Sequence, residues 1–435
     1  MKKQSTFRKY AVLVSLGFMG GTIFTTSYIR FAFYTQLIDS LRMTNVQLGL
    51  VSTITNFISF ALTIPGSFLS DKLEAKRVIV FSSGSISLLA LLFPLFVHGY
   101  ASYIFFQCAN AVVLAAYWGC LMKYINNLGG EEEAGNSFGT YYLINGLSGA
   151  AGNFIPLWAQ SHFGGETGVN VAVFSMGVVT TVATILVLIF LEDEKQLAAR
   201  GVYLKGDEPI KFKHLGYVLK WPGTYMLILA YTSTIVLYEN MSYIAPFLTN
   251  ALGMDENLSS TLAIVRQYCT LVLSPLGGYM CDRVLKATYK WYILAFAIIA
   301  VLYAGLGIFF EPGSSPLIAG IYSVLPAGVS MALYGVTYSI IRECHIPPML
   351  TGTASGLTNL GGTIQGMILP VIFGTCLDNY GDAAHNFAGY DYVFYIMAGI
   401  CVLGIFNAMW VGSHHKKCLA GTRKMNLSGI EKVEA

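Results

Sequence analysis

The chain has few charged side chains. Only 11% of its 435 residues are charged and 55% are apolar, whereas an ordinary soluble domain carries about 25% charged residues. This composition excludes a soluble globular protein and is typical of a chain within a bilayer. The net charge of +3 sums loops on two sides of a membrane and identifies no partner, and we expect no nucleic acid to bind.

Sequence signatures of several other protein classes are absent as well. The eight cysteines are scattered and form neither a CxxC pair nor a Cys/His cluster, so neither a disulfide framework nor a metal site is indicated. There is no Walker motif, which argues against an ATP-driven pump. We expect no cofactor and no enzymatic activity.

Apolar runs of about 20 residues, the length needed to cross the bilayer as a helix, recur along nearly the whole chain. The runs are continuous instead of alternating, which predicts helices and not barrel strands. We therefore predict an all-α, polytopic membrane protein with twelve transmembrane helices. The predicted spans are 10–36, 46–70, 77–98, 101–125, 137–161, 169–191, 224–249, 258–281, 291–310, 316–341, 353–377 and 390–412.

The positions of Lys and Arg predict the orientation. If both termini are cytoplasmic, the inner segments hold 4 cations before the first span, then 3, 1, 6, 3 and 1 in successive loops, and 5 in the tail, which is 23 of 26. Only Arg42 then lies in an outer loop, as the positive-inside rule requires. We predict a multi-pass protein of the cell membrane with both termini in the cytoplasm. The two remaining cations, Arg30 and Arg266, fall inside spans.

The longest connection between spans divides them six and six. We predict an N-terminal six-helix bundle at 1–192, a cytoplasmic linker at 193–220, a C-terminal six-helix bundle at 221–412 and a cytoplasmic tail at 413–435. The linker is interpreted as a solvated segment without a binding role.

The two halves share a pattern after their second helix. PGSFLSDKLEAKR at 65–77 and PLGGYMCDRVLKATYK at 275–290 both place small residues and an aspartate beside cations. They resemble the signature loop of the major facilitator superfamily. The resemblance implies two pseudo-symmetric six-helix bundles, and residues at the inner helix ends that make and break gating contacts. The candidates, for which anchoring at lipid head groups is the alternative, are Asp71, Lys72, Arg77, Lys123, Asp282, Arg283, Arg342 and Glu343.

Three segments resemble the organophosphate:phosphate antiporter branch, typified by the glycerol-3-phosphate transporter. They are SYIRFAFYTQLIDSLRMTNVQLGLVST, LYENMSYIAPFL and LTGTASGL. The resemblance implies that Arg30 matches a substrate-binding arginine. The family's arginine of helix 7 falls on Tyr238, its histidine of helix 5 on Asn145 and its lysine of helix 2 on Thr63. Two arginines can hold a dianion through bidentate bonds, whereas a lone arginine suits one carboxylate or sulfonate.

Three charged residues inside spans need an explanation, because such residues are costly in lipid and mark functional sites. Arg30 is either a substrate anchor or a structural arginine paired with a carboxylate or carbonyls. Arg266 either replaces the missing arginine of helix 7, or reaches the outer surface, or pairs with Glu239. Glu239 is the one acidic residue placed in mid-span, and it is either the proton-coupling group or half of that fixed ion pair.

Uncharged polar and aromatic residues within spans are further candidates for the cavity, with packing as the alternative for most of them. They are Tyr28, Tyr34, Gln107, Asn110, Tyr117, Tyr142, Asn145, Tyr238, Asn359 and Gln365.

The leading hypothesis is a secondary active transporter that moves a small organic anion, such as a sugar acid or another carboxylate. Transport would use alternating access, with proton symport or anion exchange. Export of amphipathic compounds is one alternative, given 27 Tyr, 27 Phe and 15 Met, and a transporter-like membrane sensor is another. The expected partners are the anionic substrate, the lipid bilayer and a proton or counter-anion, and we expect a monomer.

Overall fold

A computed structural model describes residues 6–193, 196–197, 212–337, 339–347 and 351–425. Within this part of the chain the structure contains helices and no strand, which confirms the predicted all-α class. The longer helices are α1 (Thr6–Ile23), α2 (Tyr34–Leu41), α3 (Asn45–Lys72), α4 (Ala75–Phe96), α5 (Tyr100–Leu114), α6 (Tyr117–Phe163), α7 (Gly165–Phe190), α8 (Phe212–Lys220), α9 (Pro222–Asn240), α10 (Glu256–Gln267), α11 (Thr288–Phe309), α12 (Pro316–Tyr334), α13 (Thr351–Tyr380) and α14 (Ala388–Leu419).

Short helical pieces lie between the longer helices. Ile29–Phe31 is a 3-10 turn between α1 and α2, and Met241–Tyr243 is another directly after α9. The remaining pieces are Ile244–Pro246, Phe247–Ala251, Cys269–Leu273, Ser274–Tyr279, Met280–Val284, Ser339–Arg342 and Ala383–His385.

Helix is present in all twelve predicted spans, but one predicted boundary is wrong. We expected a loop between the spans 101–125 and 137–161, whereas α6 continues from Tyr117 to Phe163 and the interruption lies at Ala115 and Ala116. The segment that joins the two spans contains Glu131, Glu132, Glu133 and Ala134. Glutamate and alanine are strong helix formers. The polarity of this segment was therefore not sufficient evidence for a loop.

Eight helical stretches are long and apolar enough to cross a bilayer, judged over the described residues. They are Asn45–Thr63, Ala75–Phe96, Tyr100–Leu121, Gly165–Phe190, Thr288–Phe309, Pro316–Tyr334, Leu360–Tyr380 and Ala388–Leu419. The described parts of the other predicted spans, 10–36, 137–161, 224–249 and 258–281, contain no such stretch. These four spans carry Arg30, Asn145, Glu239 and Arg266. The three charged candidates inside spans thus lie on segments without such a stretch, whereas Gln107, Asn110 and Gln365 lie on stretches that are apolar enough to cross.

Three of those four spans are also interrupted. The helical hydrogen-bond pattern changes at Ile29–Phe31, at Met241–Tyr243 and at Cys269–Leu273. Non-helical backbone at membrane depth is tolerated where it is buried in protein or lines a water-filled cavity, and broken helices are common around transporter sites. The residues of Ile29–Phe31 and Met241–Tyr243 are buried, so these two interruptions are shielded from lipid. Val272 within Cys269–Leu273 is 77% exposed, so the third is not.

The chain divides into two compact units. The first comprises Met1–Asp207 together with Met254–Cys269, and the second comprises Glu208–Gly253 and Thr270–Ala435. The helix with Arg266 thus belongs to the first unit, although its sequence position lies in the predicted second bundle. The division into bundles at 1–192 and 221–412 stays a prediction.

Helix α1 approaches α6 closely in the first unit because glycines line the contact. A Cβ atom on Gly17 would lie 2.7 Å from the Cβ atom of Ile144, and one on Gly20 would lie 2.6 Å from Nδ2 of Asn145. A Cβ atom on Gly21 would lie 2.5 Å from the backbone oxygen of Asn145. This close approach fixes the distance between α1 and the helix that carries Asn145.

We expect Gly21→Ala to destabilise the first unit. The added methyl group would also lie 2.6 Å from the amide nitrogen of Gly149, so the backbone of α6 must move, at a cost of about 1–3 kcal/mol. Thermal melting in detergent measures the effect. Gly84→Ala is the matched control, because nothing lies within 4 Å of its Cβ position in α4. Equal melting temperatures for the two variants would contradict the proposed contact.

Candidate functional site

Arg30 lies in the interruption between α1 and α2. Its side chain is buried, with 8% exposed, and its Nη1 atom has no hydrogen-bond partner. Its Cζ atom lies 5.2 Å from the centroid of the Phe31 ring. A buried cationic donor that is left unsatisfied is costly, and an anionic ligand would satisfy it.

A hydrogen-bonded series of polar side chains from α5 reaches the same interruption. The Nε2 atom of Gln107 donates to the backbone oxygen of Thr26 at 3.2 Å and to the hydroxyl of Tyr103 at 2.7 Å. Asn110 donates to Oε1 of Gln107 at 3.3 Å. Tyr103 lies close enough to Arg30 for an electrostatic interaction. The chain of hydrogen bonds holds the turn that presents Arg30.

Sequence reasoning included Gln107 and Asn110 among the candidates but missed Tyr103 and Thr26. The run Thr25–Thr26–Ser27 in the middle of an apolar span was the available signal. Tyr103 lies in α5 among apolar residues, and a single tyrosine in such a segment is not a distinctive sequence signal.

Two of the predicted aromatic candidates lie near the interruption that carries Arg30. Tyr28 stacks on Phe31 with ring centroids 5.0 Å apart. Tyr117 is fully buried, its hydroxyl has no hydrogen-bond partner, and its ring packs edge-on against Phe24 at 5.8 Å. Both are thus placed beside the interruption of the first span.

Other predicted residues of the first unit have local partners. Tyr34 is buried and donates to Oδ1 of Asn45 at 3.0 Å, which ties α2 to the start of α3. Asn145 is half-buried and donates to the hydroxyl of Tyr141 at 3.0 Å. The side chain of Tyr142 lies outside the described part of the structure, as does that of Asn359.

Arg266 is buried near the end of α10, with 1% exposed. This burial argues against the alternative that its guanidinium reaches the outer surface. The ring of Tyr268, two residues further on, packs against Gly149 of α6, 3.0 Å from its Cβ position. Arg30 and Arg266 are therefore both buried cations of the first unit.

The second unit contains a polar group around Glu239 at the end of α9. The Nε2 atom of Gln365 donates to Oε2 of Glu239 at 2.6 Å, and the amide of Asn240 donates to Oε1 of Gln365 at 3.4 Å. The neighbouring Tyr238 stacks on Tyr334 with ring centroids 4.9 Å apart. Sequence reasoning named Tyr238, Glu239 and Gln365 but missed Tyr334 and Asn240. The amide of Gln365 is neutral, so this contact is a hydrogen bond and not an ion pair.

The predicted gating residues have varied surroundings. Arg77 is exposed and pairs with Glu74 at 2.6 Å within the first turn of α4. The carboxylate of Glu343 accepts from the backbone amides of Thr288 at 2.6 Å and Tyr289 at 2.7 Å, so it caps the start of α11. Asp282, Arg283 and Arg342 are exposed. The side chains of Asp71, Lys72 and Lys123 lie outside the described part, and gating stays a prediction for all eight residues.

Three histidines, His345, His414 and His415, lie together just after the predicted spans 316–341 and 390–412. Nε2 of His345 lies 2.9 Å from Nδ1 of His415, and His414 contacts the guanidinium of Arg423 at 3.2 Å. Burial, and secondarily the neighbouring His415, lower the pKa of His345 below its ordinary value of 6.5. Burial and Arg423 likewise lower the pKa of His414.

We expect this histidine cluster to make the protein less stable in acid. A lowered pKa means that the unfolded chain binds protons more readily than the folded one, so the stability is fully present above about pH 6.5 and is lost as the pH falls below it. Melting temperatures measured between about pH 7.5 and 5.5 should fall in the wild type. The fall should be smaller in His345→Gln and unchanged in the exposed control His98→Gln. A pH dependence that is equal in all three proteins would contradict the assignment.

Helices long enough to cross a bilayer, together with buried charged residues at interrupted helices, are typical of polytopic membrane transporters. The model of the Major Facilitator Superfamily matches residues 16–370 and 227–426. The chain therefore belongs to the Major Facilitator Superfamily.

Known proteins of similar sequence and structure agree with this membership. The chain is 26% identical over 398 residues to the inner membrane protein YihN of Escherichia coli, which covers 90% of this chain and 93% of YihN. It is 22% identical over 400 residues to the probable sulfoacetate transporter SauU of Cupriavidus necator, with 86% of each chain covered. The crystal structure of the nucleoside transporter NupG matches with a TM-score of 0.69 at 13% identity, over 94% of this chain and 99% of that one.

These findings establish a multi-pass membrane transporter of small molecules and confirm the predicted superfamily. Transporters of this superfamily are generally not enzymes. The likeness to the nucleoside transporter shows the shared fold alone.

Proposed function

We propose that this protein is a secondary transporter of a small organic anion with a carboxylate or sulfonate group, and that Arg30 anchors that group. The observation that carries the proposal is the buried guanidinium with an unsatisfied Nη1 donor. A carboxylate or sulfonate oxygen would accept from that donor in a charge-assisted hydrogen bond.

The residues at the positions that match the other binding residues of the organophosphate branch support an anion other than a phosphate. We place the chain near the organophosphate:phosphate antiporter branch, because the pattern around Arg30 resembles that branch. Tyr238 and Asn145 are uncharged where that branch has an arginine and a histidine, so a phosphate dianion would lack two of its cationic partners. The similarity to a probable sulfoacetate transporter is consistent with an organic anion.

Glu239 is the proposed coupling group. Its carboxylate accepts from Gln365. In the superfamily two bundles rock around a central site, so the surroundings of Glu239, and with them its protonation, can change during transport. In this proposal the bundles are 1–192 and 221–412, the linker is 193–220, both termini are cytoplasmic, and a monomer is the transporting unit. Arg266 is the candidate replacement for the organophosphate branch's missing arginine of helix 7, and the positions of that branch's histidine and lysine remain uncharged at Asn145 and Thr63.

Uptake into proteoliposomes tests the proposal. Glucuronate, sulfoacetate and glycerol-3-phosphate would be compared with glucose, a neutral molecule that resembles glucuronate in size. We expect saturable uptake of at least one carboxylate or sulfonate and none of glucose. Uptake of glucose at the same rate as glucuronate, or exchange of glycerol-3-phosphate for phosphate as the preferred activity, would contradict the proposal. Ligand binding without flux would indicate a sensor.

A further inference from the structure

Aromatic rings lie in a row beside Arg30 in the first unit. Tyr28 stacks on Phe31 with centroids 5.0 Å apart and planes 5° apart, and on Phe24 at 5.9 Å. Trp118 of α6 packs against the edge of Phe24 at 6.1 Å. We call these four residues the aromatic shelf. Its exposed surface comes from Tyr28 and Trp118, with 38% and 44% of the residue exposed.

The aromatic shelf adjoins the charged anchor. The guanidinium carbon of Arg30 lies 5.2 Å from the Phe31 centroid, and Phe31 is the ring on which Tyr28 stacks. One ligand could therefore place an acidic group at Arg30 and a ring against Tyr28. A compact two-carbon acid would reach the guanidinium but would not extend over the shelf.

Unsatisfied polar atoms near the interruption indicate what kind of ring fits. The hydroxyl oxygens of Thr26, Ser27 and Tyr117 and the amide oxygen of Asn110 are buried without a hydrogen-bond partner. Thr26 and Ser27 precede Arg30 by one turn, Tyr117 contacts Phe24, and Asn110 belongs to the hydrogen-bonded chain that ends on Thr26. Buried polar groups without partners are rare and costly.

Ligand hydroxyl groups would satisfy these atoms, whereas a plain aromatic or aliphatic acid would leave them without partners. A site built to bind hydroxyl groups discriminates strongly against an analogue that lacks them, because its own polar groups are then left unpaired. Aromatic side chains in turn provide apolar surface for the flat face of a ring. Opening of the site during alternating access would bring the ligand to these buried groups.

We infer that the first unit has a ring-binding subsite beside Arg30, formed by Tyr28 and Trp118, and that the substrate is a hydroxylated ring with one acidic group, such as a monosaccharide acid. The inference rests on the proposed function, since it needs Arg30 as the anion anchor.

Binding measurements with matched acids on the purified, full-length protein test the subsite. The probes are glucuronate, which has a hydroxylated ring, cyclohexanecarboxylate, which has a ring without hydroxyl groups, and acetate, which has no ring. We expect the wild type to bind glucuronate about tenfold or more tightly than either of the others. Tyr28→Ala and Trp118→Leu should weaken the binding of glucuronate by about tenfold and change that of acetate by less than about twofold.

Trp410→Leu is the matched control, because it removes a tryptophan that is similarly exposed, at 45%, on α14, and it should keep glucuronate binding. Tyr28→Phe keeps the ring and should weaken glucuronate binding less than Tyr28→Ala does. Unchanged glucuronate binding in both Tyr28→Ala and Trp118→Leu, or an equal loss of glucuronate and acetate, would overturn the subsite and leave the role of Arg30 intact. Failure of the wild type to bind any of the three acids would overturn the proposed function as well.

Discussion

Replacing Arg30 by glutamine should reduce the uptake of the substrate anion by at least about a hundredfold. Hydrogen bonds to a charged group contribute about 1.5–3 kcal/mol each, and a bidentate contact of a carboxylate or sulfonate with the guanidinium has two of them. Glutamine retains polarity and one donor group but removes the positive charge. Initial rates of uptake into proteoliposomes, measured at equal protein content, give the size of the loss.

Arg30→Lys and Arg42→Gln are the matched comparisons. Lysine keeps the charge but presents a point charge in place of the planar fork of arginine, so transport should be weakened but detectable. Arg42 follows α2 by one position and is exposed, and its replacement removes the same charge from the same segment of chain. Equal loss in Arg30→Gln and Arg42→Gln would indicate a general electrostatic effect and would contradict a specific anchor.

The fold class could be predicted from sequence because it depends on hydrophobicity summed over whole segments of the chain. Burial of apolar surface over about 20 residues dominates each span, and small errors at single positions do not change its sum. The match to the family model confirms the superfamily. The sequence signal for it was the pattern of small residues and charges around Gly66, which recurs after the equivalent helix of the second half.

Interruptions of helices are harder to predict because they depend on where backbone hydrogen bonds find other partners. Helix α1 ends at Ile23 and Arg30 lies in the turn that follows, yet residues 24–33 contain neither proline nor glycine. The second unit offered a better signal, since Pro246 follows the interruption at Met241–Tyr243 by three residues. Proline cannot continue the helical hydrogen-bond pattern.

The partners of the site residues could not be predicted at all from spacing. Gln365 contacts Glu239 across 126 positions of the sequence, and Gln107 contacts Thr26 across 81. Such pairs depend on how the helices pack, and neither hydrophobic periodicity nor amino-acid composition specifies that packing. The sequence therefore identified most of the polar residues of the candidate site, whereas their hydrogen-bond partners came from the structure.

The replacement of Glu239 by glutamine should abolish accumulation that is driven by a proton gradient while exchange persists. The amide oxygen of glutamine can still accept from Nε2 of Gln365, which now donates to Oε2 of Glu239 at 2.6 Å. The contact with Gln365 is thus retained, and the titratable proton is lost. Uptake into proteoliposomes with an inwardly directed proton gradient should fall to its level without a gradient. Counterflow, in which labelled substrate enters against unlabelled substrate inside, should remain close to that of the wild type.

Comparison with an acidic residue away from the candidate site separates coupling from a general loss of negative charge. Glu166 is exposed in the first turn of α7, and Glu166→Gln should accumulate substrate as the wild type does. Full gradient-driven accumulation by Glu239→Gln would exclude Glu239 as the coupling group. Loss of both accumulation and counterflow would instead place Glu239 in substrate binding, because a carboxylate that only carries the proton is not needed when both sides of the membrane supply substrate. Anion exchange that is independent of any proton gradient in the wild type would assign the energy source to the counter-anion and leave Glu239 without a coupling role.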